Sequence, residues 1–160
     1  MMGMPPLVFI HVVISLVAIA AGFIVLFAMY ANNPLNSWTS FFLWTTLLTS
    51  ATGYILPAHK LMPSHILGAI SIVALAIAFY ARYSKKMVGG WLKTFVITAM
   101  IAQWLNIFVL VAQIFMKVPA AHALAPTGGE PPFFIAQVTV MVAMIILTII
   151  AVKKFHPVAA

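Results

Sequence analysis

The chain contains no cysteine, and Glu130 is its one acidic residue among 160. Without thiols there are no disulfides, no thiolate zinc sites, no Cys-ligated iron–sulfur clusters and no covalent c-type haem attachment. No serine with a paired histidine and carboxylate is available for nucleophilic hydrolysis, and the one acid falls in a loop. Enzymes that hydrolyse bonds inside membranes bring Asp pairs, Ser-Lys pairs or His-Glu-x-x-His, and none of these occurs here. Also missing are long polar stretches, so the chain has no room for a domain outside the membrane. Eight Lys and Arg residues are not arranged as a basic stripe interleaved with aromatics, which argues against nucleic acid as a partner.

Apolar residues are plentiful. Hydrophobic residues make up 65% of the chain against 6% charged, and the mean hydropathy is +1.18, whereas soluble domains are roughly half apolar and a quarter charged. The solvent for most of this chain is therefore the lipid bilayer. A membrane-crossing helix needs about 20 apolar residues. The hydrophobic runs, cut by Pro, Gly and Asn clusters, predict five spans over residues 7–30, 38–56, 64–83, 91–118 and 133–152 of a single domain covering 1–160. No Lys or Arg precedes Leu7, so the first run reads as a retained span and not as a cleaved leader. Ser64 stands where a helix N-cap would open the third span. The stretch from Pro119 to Pro132, with Gly128 and Gly129, reads as a loop.

Positively charged short loops stay in the cytoplasm. Arg82, Lys85, Lys86, Lys93, Lys153 and Lys154 fall on one side of this topology, and only Lys60 and Lys117 on the other. The expectation is an all-α, multi-pass protein of a bacterial inner membrane, N-terminus outside and C-terminus cytoplasmic. Trp38, Trp91, Tyr54, Tyr80 and Tyr83 lie near span ends, as interfacial aromatics do.

With that topology, four of the five histidines come to the outer side: His11, His59, His65 and His122. His156 belongs to the cytoplasmic tail. An imidazole within the apolar zone is costly and by default faces the bundle interior with a partner. His11 shares a helical face with Ser15, Ala18 and Gly22, the small-residue kind of face that packs against other helices in lipid. His65 lies beside a row of Ser64, Gly68 and Ser71. His11 and His65 are thus the first candidates for ligands of a b-type haem, which two neutral imidazoles hold without cysteine. With His122 and His59 they are also candidates for a transition metal ion. Met1, Met2 and Met4 sit on the same side, and thioether with imidazole suits Cu(I), although the ten methionines form no Met-x-x-Met ladder.

Gln103, Asn106 and Gln113 recur at helical spacing on the fourth span, and Gln137 lies inside the fifth. Asn106, Gln113 and Gln137 fall at depths near His11. These amides either bond neighbouring helices or line a site for a quinone carbonyl or for water. Thr45, Thr49 and Thr52 form a further stripe, whose hydroxyls are expected to bond their own helix backbone.

The segments Ser64-His-Ile-Leu-Gly, Leu105-Asn-Ile-Phe-Val-Leu-Val-Ala-Gln113 and His122-Ala-Leu-Ala-Pro-Thr-Gly-Gly-Glu-Pro-Pro132 resemble stretches of uncharacterised small polytopic bacterial membrane proteins. That resemblance extends over most of the chain and brings no activity with it. In size and layout the chain is similar to small membrane cytochrome b subunits, a likeness of architecture without their motifs. Three functional expectations follow. The first is a membrane redox subunit that binds haem b, with quinone as a further ligand, near the outer face. The second is a non-catalytic accessory subunit packed into a larger membrane complex or a homo-oligomer. The third is metal-ion handling or transport.

Overall fold

A computed structural model describes residues 5–56 and 63–157. Among these the chain is helical throughout: α1 (Pro6–Tyr30), α2 (Asn36–Ile55), α3 (Pro63–Phe79, continued by a π turn Tyr80–Ser84), α4 (Gly90–Lys117), a short α5 (Pro119–Leu124) and α6 (Pro131–Lys154). Four stretches, Pro6–Tyr30, Pro63–Ser84, Gly90–Lys117 and Pro131–Lys154, are long and apolar enough to cross a membrane. α2 is 20 residues long but rich in Thr and Ser, which lowers its hydropathy below theirs. It nevertheless packs along α1 and α3 as closely as the spans pack on one another.

Proline sets several of the helix starts. Its fixed φ and missing N–H are harmless in a first turn, and α1, α5 and α6 each carry proline there. There are two departures from expectation. α3 is described from Pro63, and Ser64 lies within the helix instead of capping it. Pro119 does not begin a loop but opens α5, because the Ala-Ala-His-Ala-Leu run that follows consists mostly of good helix formers.

The turn between α1 and α2 needs left-handed backbone at Asn32 (φ 54°) and Leu35 (φ 37°). Asn33 Oδ1 accepts from the Leu35 amide at 3.1 Å, and Asn32 Oδ1 accepts from the His156 amide at 2.7 Å. That second bond ties the C-terminal segment to the α1–α2 turn. Tyr30 donates to the Leu147 carbonyl at 2.8 Å, and Arg82 donates to Asn36 Oδ1 at 3.1 Å. One end of the molecule therefore gathers the α1–α2 turn, the end of α3, the start of α4 and the end of α6. Cations at this end lie over aromatic rings: Lys85 over Tyr80 and Trp91, Lys154 over Tyr30, and Arg82 over Tyr83 and Phe95.

The core is formed by Leu26, Met29, Phe42, Leu43, Leu75, Phe95 and Met100. Outside it the surface is apolar, with Phe27, Val73, Ile135, Val138, Ile145 and Ile146 all exposed. A soluble monomer rarely shows apolar patches beyond a few hundred Å², and lipid is the solvent that suits this exterior. α1 and α4 approach closely at Gly22, where a Cβ would stand 2.1 Å from Gln103 Oε1. Gln103 is fully buried and donates from Nε2 to the Ile19 carbonyl at 2.9 Å. The small-residue face of α1 thus receives a buried amide from α4.

Candidate functional site

The site begins with α1. Its residues Val8, His11, Val12, Ser15 and Ile19 recur at three- and four-residue steps and form one stripe, which faces a cavity of about 400 Å³. α2 contributes Thr49, Ser50, Gly53 and Tyr54, α3 contributes Ser64, His65, Gly68 and Ser71, and α4 contributes Leu105, Asn106, Val109, Gln113 and Lys117. That volume lies within the roughly 300–1,000 Å³ of small-molecule sites. From Val8 to Ile19 the cavity runs about 16 Å along α1 at about 1.5 Å per residue, roughly half of a hydrocarbon core about 30 Å thick. Leu, Val and Ile supply much of its wall, and polar side chains reach it from four different helices.

His11 is half-buried, and its Nδ1 lies 2.7 Å from Thr52 Oγ1. The Thr52 hydroxyl is also 2.7 Å from the Leu48 carbonyl, with Thr49 O at 3.2 Å. A hydroxyl has one proton and a carbonyl only accepts. The proton must therefore lie toward the carbonyls, and the Nδ1–H of His11 donates to Thr52. Nε2 then carries a lone pair. A histidine whose second nitrogen is fixed in this way is oriented as ligand-binding imidazoles commonly are. Ser15 donates to the His11 carbonyl at 2.7 Å, and Ser50 donates to Ser71 at 3.1 Å across the α2–α3 seam.

His65 stands at the same end of the cavity. Its ring packs against Tyr54, centroids 5.5 Å apart, and the Tyr54 hydroxyl donates to its backbone carbonyl. Gly68 makes room for this contact, since a Cβ there would lie 3.3 Å from the Tyr54 ring. Both histidines are thus tied to the last turn of α2, His11 through Thr52 and His65 through Tyr54.

Asn106 brings the least satisfied group. Its Nδ2 is buried and has no hydrogen-bond partner, and an orphaned buried donor costs about 1–3 kcal/mol. Gln113 is half-buried, two turns further along α4 on the same wall.

The remaining sequence candidates lie elsewhere. Gln137 is buried and donates to the Phe108 carbonyl at 3.0 Å, joining α6 to α4 outside this cavity. His122 lines a second cavity, formed with Phe115, Met116, Thr127 and Phe133, that shares no lining residue with the first. Its Nδ1–H donates to the Phe115 carbonyl at 3.2 Å. His59, Lys60, Met1, Met2 and Met4 lie outside the described residues. Among the described residues no three His, Asp or Glu side chains come together as a metal group. Glu130 is committed to its own loop: the Thr127 hydroxyl and the Thr127 and Gly129 amides all donate to its carboxylate. These bonds, the Thr127 hydroxyl first, hold the carboxyl below the usual carboxylate range.

Thr52, Tyr54, Gly68 and the Ser50–Ser71 pair were not singled out from sequence as parts of a site. Thr52 had a usable signal. Folding α1 back on α2 about the Ala31–Leu35 turn brings His11 level with the last turn of α2, where Thr52 is the polar residue beside Gly53. No family model, no curated protein and no solved structure matches the chain.

Proposed function

We propose that this chain is a redox subunit of a bacterial inner membrane that holds a lipid-soluble quinone in the cavity between α1, α2, α3 and α4, near the outer face. The observation that carries the reading is the convergence on one cavity of the oriented imidazole of His11 and the amide residues Asn106 and Gln113. A quinone head group needs an apolar slot with a few hydrogen-bonding groups, and its tail needs lipid. Four helices with apolar outer surfaces supply both.

The supporting topology takes α2 as a fifth span, because about 20 residues rise about 30 Å and α2 packs between α1 and α3. The end rich in Lys and Arg then faces the cytoplasm, and the cavity opens outward. The electrons of the bound carrier are exchanged with a partner in a larger membrane complex.

A quinone fits these residues better than a haem b held between His11 and His65. The His65 ring is packed against Tyr54, whereas a bis-imidazole site needs both rings turned to one macrocycle. The test is to purify the protein in nanodiscs, record oxidised and dithionite-reduced spectra, and titrate decylubiquinone against wild type, His11→Ala and Asn106→Leu. Saturable decylubiquinone binding that Asn106→Leu weakens, with no Soret band, is the expected result. A Soret band with reduced alpha bands, lost in His11→Ala and His65→Ala, would replace quinone by haem. Absence of both would leave the chain as an accessory subunit.

A further inference from the structure

We infer that the cavity discriminates between the oxidation states of its ligand and binds the hydroquinone in preference to the quinone. The inference rests on the quinone reading above and adds the direction of the hydrogen bond at His11. Thr52 Oγ1 stands 2.7 Å from both His11 Nδ1 and the Leu48 carbonyl. The Leu48 oxygen has no proton to give. If the Thr52 proton turned to His11, two oxygen lone pairs would face each other at 2.7 Å in a low-dielectric interior. The arrangement is relaxed only when Thr52 donates to Leu48 and accepts from His11 Nδ1–H.

A neutral imidazole has one N–H. With that proton on Nδ1, Nε2 is an acceptor and cannot donate. A quinone offers only carbonyl oxygens, so beside Nε2 it finds a lone pair and no donor. A hydroquinone offers O–H groups, and one of them donates to Nε2. Its oxygens still accept, so the amide residues that line the cavity, Asn106 and Gln113, remain useful to it. Bonds from these amides are available to both forms, and the His11 bond to the reduced form alone. No electron or proton is transferred in this discrimination, because it is a binding equilibrium. Tighter binding of the reduced form raises the midpoint potential of the bound two-electron couple by about 30 mV for each tenfold difference in affinity.

The experiment uses the full chain in nanodiscs at pH 8, where an ordinary imidazole is neutral. Decylubiquinone and its hydroquinone, the latter kept reduced under argon, are titrated separately. The expected result is hydroquinone affinity about tenfold above quinone affinity, the range of one hydrogen bond made against one left unmade. In Thr52→Val the acceptor that holds the Nδ1 proton is gone, either tautomer is allowed, and the ratio falls toward one. A second measurement does not depend on that variant: the ring ¹⁵N shifts of His11 in the wild-type protein should show a protonated Nδ1 and a bare Nε2. Equal affinity for the two forms, or a protonated Nε2, overturns the inference while leaving quinone binding intact. Failure of both forms to bind overturns it together with the quinone reading.

Discussion

Gly22→Ala tests how α1 and α4 are held together. A new Cβ at this position would lie 2.1 Å from Gln103 Oε1, 2.4 Å from its Cδ and 2.7 Å from its Nε2, all far inside van der Waals contact. Gln103 is fully buried, so its amide cannot swing into lipid and must leave the Ile19 carbonyl it donates to. An interhelical hydrogen bond in a bilayer contributes on average about 0.6 kcal/mol, and a buried amide left without partners costs about 1–3 kcal/mol. Against this, alanine is favoured over glycine inside a helix by about 1 kcal/mol. The net expectation is a loss of about 0.6–2.6 kcal/mol, where an open helical site would gain. Unfolding in mixed detergent micelles, followed by circular dichroism, measures it. Gln103→Ala should also destabilise, and the pair together should be better than the sum of the singles by at least about 1 kcal/mol, since the shortened side chain leaves room for the methyl. Additivity within about 0.5 kcal/mol, the behaviour of independent sites, would refute the clamp.

In intact spheroplasts a cysteine at Thr127 should label with an impermeant maleimide while one at Ser84 is protected, and the opposite pattern would invert the orientation. Asn106→Leu should lower quinone affinity about tenfold with no loss of stability, because its Nδ2 is already without a partner; Gln137→Leu should cost about 0.6 kcal/mol through the lost bond to Phe108 and leave affinity unchanged. Glu130 has a carboxyl held below its ordinary range, so its bonds to Thr127 and Gly129 are fully present above the unfolded carboxylate range and are lost as pH falls through the lowered folded value. The amide shifts of Thr127 and Gly129 should follow that acid titration in the wild type and be flat in Glu130→Gln.

The parts of this structure that depend on hydropathy could be read from the sequence. Each long helix, α3 taken together with its π turn, falls within two residues of an expected span, because apolar runs of bilayer length ended by Pro, Gly or Asn leave little choice of boundary. α2 is the instructive case. It was expected as a span from its bounds, but its Thr and Ser content places it apart from the four strongly apolar helices. α5 escaped notice because proline was read as a breaker when it was serving as a first-turn residue.

The site was legible only in part. His11, His65, Asn106 and Gln113 were singled out as inward-facing polar residues, and they line one cavity. Gln137 and His122, chosen by the same logic, are used in other contacts. Sequence gives the depth of a polar residue but not its azimuth relative to neighbouring helices, and azimuth decides whether an amide meets a cavity or a backbone carbonyl. Thr52 shows the same limit from the other side. Its hydroxyl bonds its own helix as the threonine stripe suggested, yet that bond is also what fixes the direction of its contact with His11.

The central claim is that the cavity between α1, α2, α3 and α4 is a quinone site, and a photoreactive azidoquinone tests it most directly. Irradiated with the protein in nanodiscs and mapped by peptide mass spectrometry, the label should fall on cavity residues of α1 and α4, around Ser15, Asn106 and Gln113, and excess decylubiquinone should suppress it. Labelling confined to the lipid-facing residues of α6, or labelling that decylubiquinone leaves unchanged, would contradict the account.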